Sequence, residues 1–197
     1  MTSLRASLED ARRALDALMS DAGAVAAIDA AADLLAARLR AGGKVLICGN
    51  GGSLCDAAHF AEEMTGRFRA DRPALAAIAC ADPGHLTCVA NDYGFDRVFA
   101  RWVEALARPE DVLILLSTSG MSANLVAAAK AARSRSVPVF ALLGRGGGDL
   151  LALCEYGLVV PGGTSDRIQE LHMLILHAWV EGIEARLFSR PASDQTG

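Results

Sequence analysis

The residues best equipped for chemistry fall in four short stretches. His59 and Glu63 are four apart, so on a helix they share one face, one above the other. An imidazole beside a carboxylate can move protons near neutral pH or hold a metal ion. Their order, H-x-x-x-E, differs from the H-E-x-x-H of zinc proteases. Gln169, His172, Met173 and His177 stand in the last apolar-patterned stretch. His172 and His177 are five apart, so they point in different directions and cannot both face one site. A lone histidine on a helix is more often packed or solvated than a ligand, and His85 and His172 are read that way. His59, Glu63 and His177 earn more weight because they flank two loops suited to binding.

One of those loops is Ser117-Thr-Ser-Gly-Met-Ser122, followed by Ala123-Asn124. Four hydroxyls around a glycine, at the start of a predicted helix, can hydrogen-bond the oxygens of a phosphate. The loop carries no arginine or lysine, so dipoles and hydroxyls would hold the anion, which favours a monophosphate over a nucleoside triphosphate. The other loop is Gly49-Asn-Gly-Gly-Ser53. Its glycines let a backbone approach a ligand closely, and the following helix offers free N–H groups. Spacing alone leaves a second reading open, a tight strand-to-helix turn with Ser53 as N-cap. The loop is neither a dinucleotide fingerprint nor a P-loop.

These loops need a scaffold, and the hydrophobic pattern supplies one. Residues 44–48, 75–79, 112–116, 139–143 and 156–160 are short, nearly continuous apolar runs, as expected of parallel strands buried on both faces. Amphipathic segments separate them at about 53–64, 83–91 with 95–107, 122–134 and 148–154. This predicts an α/β fold with an open five-stranded parallel sheet flanked by helices and joined by right-handed crossovers. Ligands in such sheets bind outside the carboxyl ends of the strands. Two helices precede the sheet. In the first, Leu4, Leu8, Ala11, Leu15 and Leu18 make one apolar stripe. The second runs to about Arg40 and stops at Gly42-Gly43. A long helix from about Ser165 to Phe188 closes the fold. Residues 1–197 read as one domain, with 189–197 a polar, frayed tail.

Composition excludes several classes. The formal net charge is −4 and aromatic residues are 5%, and no basic block is present, so no nucleic-acid partner is expected. Arg133 and Arg135 sit at a predicted helix end, an ordinary solvated position. No apolar run reaches the roughly 18 residues of a bilayer span, and the first twenty residues lack a secretory apolar region; no membrane partner is expected. The five cysteines lie mostly in apolar segments, as buried small hydrophobes of a reducing compartment, which implies a cytoplasmic protein. Hydrophobic residues make up 52%, an excess that helices between subunits would absorb.

Taken together, Cys48-Gly-Asn-Gly-Gly-Ser53, Cys55-Asp56, His59-Phe-Ala-Glu-Glu63, Thr65-Gly-Arg67, Val89-Ala-Asn-Asp-Tyr-Gly94, Ser117-Thr-Ser-Gly120 with Ser122, and Asp166-Arg-Ile-Gln-Glu-x-His172 with His177 resemble the phosphoheptose isomerases of the SIS (sugar isomerase) fold. The resemblance runs from the first helix to about Phe188. It implies an aldose–ketose isomerase that converts sedoheptulose 7-phosphate to D-glycero-D-manno-heptose 7-phosphate through a cis-enediol. It implies Glu63 as the base between C1 and C2 and His177 as its acid–base partner. Zinc, one per subunit, would be held by His59, Glu63, Gln169 and His177. Ser117, Thr118, Ser119 and Ser122 would hold the phosphate, and Asn50, Gly51, Gly52, Asn91 and Asp92 the sugar, with Ser53, Glu63 and Gln169 also in the substrate site. Arg67 and Asp166 are implied polar neighbours. The resemblance also implies a homotetramer with active sites at subunit interfaces. Gln169 and His177 are separated by about 12 Å of helix at ~1.5 Å per residue, which points to a site completed across such an interface.

Leu54 and Met121 depart from the polar residues common at those positions in the family. A longer ketose phosphate, such as an octulose phosphate, is therefore an alternative substrate. A related SIS protein that binds DnaA in replication initiation is the alternative from another class; by the resemblance it lacks the terminal histidine that this chain keeps. Sugar-phosphate sensors of this fold usually carry a DNA-binding domain, which this sequence does not show.

Overall fold

The structure is a computed structural model and describes residues 3–188; the predicted tail at 189–197 lies outside the described residues. Helices α1 (Leu4–Ser20) and α2 (Ala22–Arg40) lead into β1 (Val45–Gly49), α3 (Gly52–Thr65), β2 (Ala77–Ala79) and α4 (Pro83–Tyr93). A single 3-10 turn at Phe95–Arg97 precedes α5 (Val98–Leu106), β3 (Val112–Ser117), α6 (Ala123–Ser134), β4 (Val139–Leu143), α7 (Gly148–Leu151), β5 (Tyr156–Val159) and α8 (Ser165–Phe188). All five strands pair in parallel in the order β2-β1-β3-β4-β5. The expected α/β sheet is therefore present, with the central strands buried throughout.

Alternation along the strands splits the core in two. Val45, Ile47, Val112, Ile114, Leu116, Phe140 and Leu142 face α1, α2, α3 and α8. Leu46, Cys48, Leu113, Leu115, Val139, Ala141 and Leu143 face α4, α5, α6 and α7. At the amino edge, buried Asp111 accepts hydrogen bonds from the Lys44 and Arg108 amides at 3.0 and 2.8 Å and from Lys44 Nζ at 2.5 Å. That carboxylate fixes where β1 and β3 begin.

Four expectations need correction. The edge strands are less buried than the pattern implied: Tyr156 on β5 is 43% exposed. β2 starts at Ala77 rather than at Leu75, because the Leu75 amide is still engaged with the Met64 carbonyl of α3 at 2.9 Å. Of the five cysteines only Cys48 and Cys80 are buried, whereas Cys55 and Cys88 are exposed on α3 and α4. The α1 stripe likewise runs off the core: Leu18 is buried, but Leu4 and Leu8 face solvent.

His172 is fully buried where α8 crosses the sheet, and neither ring nitrogen has a hydrogen-bond partner. Burial pushes its pKa down to about 4, and the Leu143 backbone beside it offsets only a little of that shift. The unfolded chain takes up this proton near pH 6.5 and the folded chain only near 4. Between those values the unfolded state binds more protons, so this residue's contribution to stability is constant above pH 6.5 and falls as pH drops through that window. Denaturant unfolding should show a loss of up to about 3 kcal/mol from this residue between pH 6.5 and 4. His172→Met should remove that share of the slope; a variant with the wild-type slope would show that another group is responsible.

Candidate active site

The chain leaves β1 for β2 on one side and reaches β3 on the other, so the carboxyl ends of β1 and β3 open a crevice. The glycine loop lines one wall and the serine loop the other. Asn50 and Asn124 tie them together by a reciprocal amide pair, with N···O distances of 3.0 and 2.9 Å. Asn124 is buried, and this use of it was not foreseen from the sequence.

Each loop depends on glycine at one point. Gly51 has φ +57 and caps α3 without a side-chain bond. Ser53 is therefore not the N-cap; it is buried in the first turn and accepts a bond from Gln169 Nε2 at 3.3 Å. Gly120 has φ +67, and a Cβ there would collide with the Gly147 backbone. The Gly144 amide donates to the Ser117 carbonyl and the Leu150 amide to the Gly120 carbonyl, at 3.1 Å each.

Between the loops lies a cavity of ≈ 230 Å³ lined by Asn50, Ser53, Ser117, Thr118, Ser119, Ser122, Ser165 and Gln169. Ser117 Oγ accepts from the Gly120 amide at 3.0 Å and Ser119 Oγ from the Met121 amide at 3.2 Å. A hydroxyl that accepts from backbone keeps its own proton to donate. Ser122 occupies the N-cap of α6 without spending its hydroxyl there. The N-terminal ends of α3, α6 and α8 all reach this cavity, through Ser53, the N-cap Ser122 and Ser165. Three positive helix ends and a ring of donors suit an anion. Ser165 was missed in the sequence, although its place at the head of the last predicted helix was a usable signal.

Further along α8 the acid–base groups meet. Glu63 Oε1 lies 3.3 Å from His59 Nε2 and 3.4 Å from His177 Nε2. Glu63 is buried while both histidines are partly open to solvent. The two imidazoles meet edge to face at 5.3 Å, and Phe68 stacks on His177. Glu63 Oε2 is buried with no partner, leaving lone pairs for a proton. Two turns before Glu63 on α3, burial raises the Asp56 carboxyl above its usual range and His59 partly lowers it.

This cluster also fits a metal. Its three ligand atoms lie within 4.8 Å of one another. Four ligands placed tetrahedrally at ~2.0–2.1 Å sit about 3.3–3.4 Å apart, the spacing seen between Glu63 and each histidine. Gln169, the fourth ligand implied by the resemblance, lies in the anion cavity, its amide against Gly52 and Ser53. Asn91 and Asp92 are not brought to the crevice either; they are exposed at the end of α4 and bond one another at 2.8 Å. Arg67 and Asp166 are exposed, and hydrogen bonds from Thr164 and then Arg167 hold the Asp166 carboxyl low.

A buried arginine sets the position of the base. Arg72 donates to the carbonyls of Glu63, Met64 and Gly66 at 2.6, 2.8 and 3.2 Å, closing the carboxyl end of α3, and to Glu184 of α8 at 2.8 Å. It thereby holds Glu63 and His177 on neighbouring helices.

A parallel sheet whose loops meet at a hydroxyl-lined crevice defines an anion-binding α/β protein. The SIS domain family profile matches residues 8–144, and the chain belongs to that family. Within it the chain belongs with the phosphoheptose isomerases. It is 48% identical to the phosphoheptose isomerase of Tolumonas auensis over 185 residues, 93% of this chain and 96% of the relative. The structure of the Neisseria gonorrhoeae phosphoheptose isomerase superposes with a TM-score of 0.86 at 43% identity, covering 92% of this chain and 97% of that one. The Francisella tularensis enzyme gives 0.85 at 38%, covering 93% and 98%.

Arg72→Met should destabilise the protein by about 3–5 kcal/mol in denaturant unfolding, because it strands Glu184 and three helix carbonyls. Adding Glu184→Leu should recover part of the loss. A single variant as stable as wild type would show the clasp to be dispensable.

Proposed function

We propose that this protein is an aldose–ketose isomerase acting on sedoheptulose 7-phosphate and D-glycero-D-manno-heptose 7-phosphate. The observation that carries the proposal is the layout of α8. Gln169 lies in the anion cavity and His177 in the acid–base cluster, about 12 Å apart along the helix axis at ~1.5 Å per residue. A long, extended sugar phosphate can place its phosphate at one end and its first two carbons at the other; a triose phosphate is too short. The names of the relatives agree with a heptose.

Ser117, Thr118, Ser119, Ser122 and Ser165 donate hydrogen bonds to the phosphate, and the N-termini of α3, α6 and α8 favour its charge. Asn50, Gly51, Gly52, Ser53 and Gln169 align the chain of the sugar. Glu63 removes a proton from C1 of the ketose while His177 protonates the C2 oxygen, giving the cis-enediol. His177, now neutral, takes the C1 hydroxyl proton as the C1 carbonyl forms, and Glu63 returns its proton to C2, so both groups end as they began. Exclusion of water around buried Glu63 keeps that proton in place. Zinc, held by His59, Glu63 and His177 and completed by Gln169 or a neighbouring subunit, would polarise the carbonyl and steady the enediolate.

The chain acts as a homotetramer with sites shared between subunits. Exposed Leu4, Leu8 and Leu174 support an interface along α1 and α8. Asn91 and Asp92, displaced from their own crevice, would serve a neighbour's. Residues 1–197 form one functional unit in the cytoplasm; no described helix is long and apolar enough to cross a membrane. The intact His59–Glu63–His177 cluster weighs against the DnaA-binding alternative. Met121 and Leu54 beside the binding loops leave an octulose phosphate as the second substrate to assay.

Purified protein should isomerise sedoheptulose 7-phosphate, lose activity to a chelator and regain it with zinc. Turnover that ignores both treatments would remove the metal from the mechanism. Glu63→Gln should lower turnover by at least ~10²–10⁴-fold, the usual worth of a positioned general base, with an unchanged melting temperature. Near-normal turnover would rule Glu63 out as the base. His177→Gln should impair both rate and zinc content, and a variant unchanged in both would contradict each role.

A further inference from the structure

Arg145 is the only side chain beyond hydrogen in the run Gly144-Arg145-Gly146-Gly147-Gly148. Its φ of +48 lies in the left-handed region, as do Gly146, Gly147 and Gly148. Glycine adopts that backbone freely and residues with a Cβ avoid it. An arginine where a glycine would relax the loop suggests a use for the side chain.

Its hydrogen bond shows the direction of that use. Arg145 Nη2 donates to Ser165 Oγ at 3.2 Å, and Ser165 Oγ lies 3.3 Å from Thr118 Oγ1. Both hydroxyls line the anion cavity, so the guanidinium stands one hydroxyl away from it. The cavity lining itself holds no arginine or lysine. Among the described residues Arg145 has no carboxylate within ion-pair distance, and one N–H of its five is engaged. The loop that carries it is also locked to the serine loop through the Gly120–Gly147 contact, so its approach to the cavity is preset.

We propose that Arg145 is the charge partner of the substrate phosphate: on binding it turns from Ser165 to an outer phosphate oxygen and selects the dianion over the monoanion. The proposal rests on the reading of this cavity as the phosphate site. The hydroxyls and helix ends give direction without a full positive charge, and the guanidinium supplies that charge.

The test compares Arg145→Gln, Arg145→Lys and Arg145→Gly with wild type. Arg135→Gln, at the opposite end of α6 from the serine loop, controls for net charge. Calorimetry with inorganic phosphate reads binding independently of turnover, and steady-state kinetics with sedoheptulose 7-phosphate read KM and kcat. Arg145→Gln should weaken phosphate binding and raise KM about tenfold, as for loss of a charge-assisted bond, with kcat changed less than about twofold. The salt dependence of KM should flatten, and so should its improvement as the sugar phosphate takes its second charge near pH ~6. Arg145→Lys should recover most of the loss. Arg145→Gly should lose phosphate as the glutamine variant does yet melt no lower than wild type, which separates charge from loop structure. Wild-type phosphate affinity, KM and salt response in Arg145→Gln would overturn the proposal, as would a fall in kcat alone. A wild-type protein that binds phosphate in an Arg145-dependent way without turnover would uphold Arg145 and overturn the isomerase reading. Wild-type protein that binds no phosphate would overturn both.

Discussion

β1 and β3 lie side by side in the sheet, and the protein fastens that pair at both ends. At the amino edge the Asp111 carboxylate gathers the Lys44 amide, the Lys44 ammonium and the Arg108 amide. At the carboxyl edge Asn50 and Asn124 exchange two hydrogen bonds across the crevice. Buried polar groups are costly unless paired, and here each pairing also sets a distance. The crevice width follows from the strand spacing and the amide pair, and the glycine and serine loops hang from those two strands. Without that frame the hydroxyls would not converge on one anion.

The second spacing in the site comes from helix against helix. α8 packs on α2 and α3, with Ile168, Leu171, Ile175, Leu176 and Trp179 buried in one core. Its first turn reaches the anion cavity and its fourth lies beside α3, where His177 meets Glu63. Arg72 secures the other helix of that meeting by filling the carbonyls at the end of α3. A rigid rod therefore measures the distance between the place that holds charge and the place that moves a proton. Proton transfer demands contact within hydrogen-bond reach, so a reactive carbon must arrive at one end while the phosphate stays at the other.

Local pattern made much of this legible. All five strands were recoverable because each is a short apolar run bounded by turn residues, and His59 with Glu63 was recoverable because helical periodicity is local. His177 joined them through its place beside the predicted binding loops, and its role came from the family resemblance. What local pattern could not carry was pairing over long separations. Asn124 at the head of a helix, Arg72 in a loop and Arg145 among glycines carry no local signal of their partners. Each acquires its meaning from a partner 74, 112 or 20 residues away. Ser53 was open to an N-cap reading because its spacing suits one; the structure instead spends it on Gln169. The start of β2 slipped because the Leu75 amide is still serving α3, a competition that strand propensity does not register.

The contact between the Gly120 and Gly147 backbones has a bearing on how such a protein can diverge. Two stretches of main chain meet there with no side chain between them, so a Cβ on Gly120 would strike the Gly147 backbone and one on Gly148 the Gly120 backbone, and neither stretch can adjust for the other. Thr118, Ser119, Met121 and Ser122 stand around that junction with freedom to vary. Drift towards a new ligand would therefore be written in the rim and the hydroxyls, while the glycines act as a fixed hinge pin. A designer seeking altered preference has the same licence and the same prohibition.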